Sequence, residues 1–290
     1  MFQGFTSARL QVPGAAINLR WGGKGPPLLL LHGYPETHVM WHKVAPSLAE
    51  RFTVVCPDLR GYGASSKPPD GEGHYGYSKR AMAADQVEVM RQLGFRRFQL
   101  VGHDRGARVA HRLCLDHGDS VERAALLDII PTAEVFARTD KRLATYYYHW
   151  FFLIQPNELP ERLIAGAVDH YLDSIFRSLA GNRNVFTPEA QAAYRRSMRD
   201  PATIHATCED YRAGASIDLE HDAADADQRI RCPLLVLWGE SGVVGRLYDP
   251  LAIWREKAVD VQGRALPCGH FLPEEAPAET LAALTDFLRA

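Results

Sequence analysis

Phe98-Gln99-Leu100-Val101-Gly102-His103-Asp104-Arg105-Gly106-Ala107-Arg108 is the stretch that decides the fold. An apolar run leads into a pentapeptide bounded by Gly102 and Gly106. Val109, Ala110, Leu113 and Cys114 then follow at helical spacing. Strand, sharp turn with flanking glycines, then helix is the setting of a nucleophile elbow. Such elbows commonly carry serine at the centre, whereas this one carries Asp104, with Arg105 and Arg108 beside it.

The strands around the elbow extend the pattern. Leu28–His32, Phe52–Pro57, Phe98–Gly102, Ala124–Ile130 and Pro233–Trp238 read as short, doubly buried strands. Ser78–Leu93, Arg105–His117 and Pro277–Leu288 read as helices between or after them. Alternation of this kind predicts an α/β fold with a mostly parallel, doubly wound sheet. Residues 133–216 differ. They are rich in aromatics and helical pattern, with Tyr146-Tyr147-Tyr148-His149-Trp150-Phe151-Phe152 near their start and no convincing strand. We expect a helical cap inserted into a core of residues 1–132 and 217–290. Ligands in such folds bind at the carboxyl ends of the strands, where a cap would sit. No internal repeat or low-complexity tract interrupts this plan.

Composition narrows the classes of function. The chain has 290 residues, 46% hydrophobic and 23% charged, so a large core is expected rather than disorder. The formal net charge is −2 and no long basic run occurs, which disfavours nucleic acid and anionic membranes as partners. The longest apolar run, Pro26 to Leu31, is far short of the roughly 20 residues of a membrane span. Met1-Phe2-Gln3-Gly4-Phe5-Thr6 has neither a charged n-region nor an apolar h-region, so no secretory leader is expected. Cys56, Cys114, Cys208, Cys232 and Cys268 are scattered and contain no CxxC pair, a pattern expected of reduced thiols in the cytoplasm.

Three further pieces accompany Asp104. His32-Gly33-Tyr34-Pro35 follows the first parallel strand, Asp128 follows Ala124-Ala125-Leu126-Leu127, and Gly269-His270-Phe271 lies near the C-terminus. The order nucleophile, acid, histidine is that of the α/β-hydrolases. In that superfamily a loop placed like His32–Pro35 gives one oxyanion-hole N–H, here that of Tyr34. The residue after the nucleophile, here Arg105, gives the other. Many members carry the acid after the later strand, but Gly239-Glu240-Ser241-Gly242 puts no carboxylate at the usual spacing. Asp128 fills the alternative place, with Glu240 as the rival.

The chain resembles the fluoroacetate and haloacetate dehalogenases more closely still. The likeness rests on Asp104-Arg105-Gly106-Ala107-Arg108, Leu127-Asp128-Ile129-Ile130-Pro131, His149-Trp150, Cys208-Glu209-Asp210-Tyr211-Arg212-Ala213-Gly214 and Gly269-His270-Phe271. The resemblance implies that Arg105 and Arg108 hold a substrate carboxylate, and that His149, Trp150 and Tyr211 form a halide pocket. It implies no metal and no organic cofactor, and a homodimer.

The chemistry supports it independently. A carboxyl group with a reference pKa of about 3.9 is already ionised at neutral pH and needs no base to attack. Displacement at a saturated carbon leaves an alkyl ester that water can open, where serine would leave an inert ether. His270 then activates the water. A halocarboxylate meets like charge in Asp104, and two such charges about 4 Å apart cost on the order of 4 kcal/mol at an effective dielectric near 20. Two guanidinium groups offset that repulsion and orient the reacting carbon. Two other readings share parts of this set. An epoxide hydrolase has the same aspartate and histidine but acts on a neutral substrate. A ligand receptor on the same fold keeps the pocket and loses the chemistry.

Overall fold

The computed structural model describes residues 1–182 and 184–289. Eight strands form one sheet: β1 Thr6–Val12, β2 Ala15–Gly22, β3 Pro27–Leu31, β4 Thr53–Pro57, β5 Phe98–His103, β6 Val121–Leu127, β7 Leu234–Gly239 and β8 Val261–Leu266. Their order is β1-β2-β4-β3-β5-β6-β7-β8. The β1–β2 and β2–β4 pairs are antiparallel and the remaining pairs parallel. Central strands carry apolar residues on both faces: Leu28 to Leu31 and Ala124 to Leu127 are wholly buried. Burial on both faces is what a parallel sheet sandwiched by helices demands.

The path runs from β3 out to β4 on one side, then returns to β5 on the other. That reversal makes a switch point between the carboxyl ends of β3 and β5, the place where such sheets bind their ligands. Register lines up the ends: Leu31 lies beside Gly102, His103 beside Leu127, and Leu127 beside Leu237. Residues just past these strands therefore meet at one edge. β6 stops at Leu127 rather than Ile130, because Asp128 turns to a left-handed φ of 54°.

Between β6 and β7 no described residue forms a named strand, and the segment is a succession of helices. Among them are Tyr148–Leu153, Val168–Leu179, Pro188–Met198 and Pro201–Gly214. The last starts cleanly, with the Asp200 side chain accepting from the Ala202 N–H and proline in the first turn. No described helix is long and apolar enough to cross a membrane, and all five cysteines are unpaired.

Candidate active site

Asp104 sits at the tip of the elbow with φ 47° and ψ −116°, a backbone state non-glycine residues rarely adopt. The flanking glycines serve packing rather than the turn itself. A Cβ on Gly106 would lie 2.4 Å from the His32 carbonyl oxygen, and one on Gly102 2.6 Å from the Ala107 Cα. Their absence of side chains lets the helix Arg105–Asp116 press onto β3 and its own strand, which fixes where Asp104 points.

The Tyr34 N–H donates to Asp104 Oδ1 at 2.9 Å. The Arg105 N–H opens the helix and has no intrahelical acceptor. His270 approaches from the loop after β8, with Nε2 at 3.7 Å from Asp104 Oδ2 and Nδ1 at 2.5 Å from Asp128 Oδ2. The second oxygen of Asp128 accepts from the Gly239 N–H at 2.9 Å, so the carboxylate cannot rotate away. Glu240 is exposed, and its backbone N–H bonds to Leu266. Asp128 rather than Glu240 thus stands against His270. Glu275 shapes the histidine loop by accepting from the N–H groups of Gly269 and Phe271.

Electrostatics follow from this geometry. Burial works against the Asp104 anion, but His270, His103 and the two arginines overcome it and hold the carboxyl down at about 2. Burial also works against a charged His270. The hydrogen bond and charge of Asp128, then the charges of Asp104 and Glu36, lift it to about 9. Asp104 is therefore ionised and His270 protonated in the resting site at neutral pH.

The two arginines have unequal partners. Arg105 is fully buried, and its Nε and Nη2 bond to Asp210 Oδ2 and Oδ1 at 2.9 and 2.8 Å, with a further bond to the Asp210 carbonyl. Burial disfavours its charge, but Asp210 outweighs this and raises the guanidinium above its ordinary value. Arg108 is 3% exposed, and its Nη1 donates to the Ile130 carbonyl at 3.0 Å and Thr132 Oγ1 at 3.1 Å. Among the described residues it forms no salt bridge, and its Nε has no partner. Burial and then the like charge of Arg105 lower its affinity for its proton, while Asp104 opposes both.

The aromatic residues close over these cations. Trp150 lies over Arg108 at 4.5 Å and Arg105 at 5.7 Å, and Tyr211 over Arg105 at 4.1 Å. His149 stacks on Tyr34 at 6.3 Å and meets Tyr211 edge-on at 5.9 Å. Burial drops His149 to about 3, so it is neutral, and pushes the Tyr211 phenol well up, so it keeps its proton. Every residue expected in the site is gathered at this edge of the sheet.

Sequence reasoning missed two buried acids. Asp210 was visible only as a neighbour of Tyr211, yet it takes Arg105, the Tyr62 hydroxyl and Lys79 together. Glu36 carried no signal beyond its place after the Tyr34 loop. The Tyr34 phenol also proves to donate to the Tyr171 hydroxyl at 2.9 Å.

The sequence profile of the α/β-hydrolase fold matches residues 26–277. The chain is an α/β hydrolase. It is 47% identical to a fluoroacetate dehalogenase from a Burkholderia species over 99% of this hydrolase and 95% of the relative. It is 36% identical to a soluble epoxide hydrolase from Corynebacterium strain C12, over 94% and 93% of the two chains. Among solved structures, a Nostoc protein described as an α/β hydrolase superposes with a TM-score of 0.98 at 59% identity, covering 99% of both chains.

Proposed function

We propose that this hydrolase converts short 2-haloacids, such as fluoroacetate or chloroacetate, to the 2-hydroxyacid and halide through an ester on Asp104. Arg108 carries the reading. It is a buried cation beside the nucleophile with no carboxylate of its own among the described residues, and a charge in that position is costly unless an anion joins it. A substrate carboxylate is that anion, shared with the free end of Arg105.

Held so, the substrate presents its halogen-bearing carbon to Asp104. An Asp104 oxygen attacks, the carbon–halogen bond breaks with its electron pair, and the halide leaves toward the donors of His149, Trp150 and Tyr211. Alkylation removes the Asp104 charge, one of the interactions that keep His270 protonated. His270 then yields its proton more readily and becomes the base for water. Water adds to the ester carbonyl, and the oxyanion on Asp104 takes the N–H groups of Tyr34 and Arg105. Collapse breaks the bond from the Asp104 carbonyl carbon to the substrate oxygen, which takes back the proton His270 drew from water, and so frees the hydroxyacid and restores the carboxylate. Asp128 orients His270 throughout. The inserted helices act as the cap that keeps bulk water out, and the homodimer implied by the family likeness belongs to the same proposal.

The Corynebacterium relative and the Tyr211 hydroxyl favour epoxide opening as the second reading. Ion-selective measurement of fluoride and chloride release from several haloacids, with one neutral epoxide alongside, separates the two. We expect halide from haloacetates. Diol from the epoxide with no halide from any haloacid would reverse the assignment.

A further inference from the structure

A second pair of titratable groups lies behind the histidine, and the reaction above does not use it. Glu36 follows the Tyr34 loop, and its side chain is wholly buried. Neither carboxyl oxygen has a hydrogen-bond partner among the described residues under ordinary geometric limits. His103 Nδ1 faces it, 3.5 Å from Oε2 and likewise without a partner among the described residues. The other ring nitrogen, Nε2, is 2.7 Å from the His270 carbonyl oxygen. The two imidazole rings are 4.7 Å apart.

A carbonyl oxygen only accepts, so His103 Nε2 must carry hydrogen. Nδ1 then holds either a lone pair or a second proton. A lone pair facing a carboxylate leaves two buried acceptors opposed, which is costly. One proton between Nδ1 and Oε2 removes the conflict, whichever atom it rests on. The pair is then either neutral acid with neutral imidazole, or carboxylate with imidazolium. Both forms have no net charge.

We propose that Glu36 and His103 hold one shared proton behind His270 and so set the pH at which His270 becomes a base. This rests on the reading of His270 as the base of ester hydrolysis. Glu36 touches neither substrate nor reacting atoms, so it is a positioning residue. Its charged surroundings are few. Glu274 faces it from the short helix after His270, and takes the Tyr194 hydroxyl at 2.8 Å and Lys43 at 3.0 Å. His42 Nδ1 lies 3.7 Å from the same Glu274. His103 adjoins Asp104 in the chain and faces Glu36 from β5. Burial, followed by the Glu274 charge, favours the protonated Glu36 carboxyl, while His103 and His270 oppose it, and the balance lies at about 7.

The sign of the effect follows. Once the shared proton leaves, the pair carries one negative charge. That charge makes His270 hold its own proton more tightly and postpones its use as a base to higher pH. Glu36→Gln cannot ionise. In the variant His270 should release its proton about one pH unit lower, the size expected of a unit charge several ångströms away at an effective dielectric of about 20.

Nuclear magnetic resonance titration of nitrogen-labelled histidines in the resting wild-type and Glu36→Gln proteins is the test, paired with the pH profile of halide release. We expect the His270 midpoint to fall from about 9 in the variant. The acid limb of kcat should move down in parallel, with little change in KM. An unchanged His270 curve in a folded Glu36→Gln protein overturns the proposal. The wild-type titration tests it even where the variant does not fold. The His270 resonance should show a separate, smaller step near pH 7 as Glu36 ionises, and a single-step His270 curve without it overturns the proposal. Absence of halide release from wild type would instead defeat the dehalogenase reading and leave the resonance test standing.

Discussion

Asp104 and His270 stabilise each other's charge across 3.7 Å, and the proposed ester route needs that attraction weakened halfway through. Attack requires an anionic Asp104, whereas ester hydrolysis requires a neutral His270. Alkylation of Asp104 converts the first condition into the second. Asp104→Asn imitates the uncharged ester, so His270 in that variant should titrate below the wild-type value of about 9. Resonance titration of His270 checks it, and an unchanged midpoint would show that Asp104 has no part in holding that proton. Arg108→Leu should lower kcat/KM for haloacetates roughly a hundredfold, chiefly through KM, because the substrate anion loses its unpaired counter-charge. Steady-state halide release measures this directly. Asp104 and Asp128 were legible in the sequence because each directly follows a readable strand, and His270 because Gly269-His270-Phe271 stands after them in the order nucleophile, acid, histidine. Asp210 and Glu36 were not, since their partners Arg105 and His103 are brought to them only by the folded chain.

The elbow joins β5 to the helix Arg105–Asp116 so tightly that glycine is required on both sides of Asp104. Gly106→Ala would push a methyl group against the carbonyl oxygens of Leu31 and His32. We expect a loss of about 1–3 kcal/mol in urea unfolding and a larger proportional loss of activity, since Asp104 and the Tyr34 N–H would separate. The five central strands could be read from their apolar runs because a doubly covered parallel sheet leaves no polar face. β1, β2 and β8 escaped that reading for the opposite reason. β1 and β8 are edge strands with exposed residues, such as Gln262 and Arg264, so neither carries a continuous apolar run. β2 pairs with β1 across a two-residue turn, Pro13-Gly14, and its Asn18 and Arg20 break the apolar run.

The inserted helices and the sheet are joined across the site by one buried ionic cluster. Asp210, from the helix Pro201–Gly214, takes Arg105 from the elbow and Lys79 from the helix Lys79–Gln92, with the Tyr62 hydroxyl at 2.7 Å. Lys79 also lies 3.3 Å from Asp218. Asp210→Asn would leave Arg105 with no carboxylate partner among the described residues and Lys79 with Asp218 alone, and should cost about 3–5 kcal/mol in urea unfolding. It should also raise KM for haloacetates, because Arg105 would no longer be aimed. All of this presumes a covalent ester on Asp104, and that ester can be weighed. His270→Ala incubated with chloroacetate should accumulate a carboxymethyl group on the Asp104 peptide in peptide mass spectrometry, with one chloride released per site. An inactive His270→Ala enzyme whose Asp104 peptide keeps its unmodified mass would contradict the account.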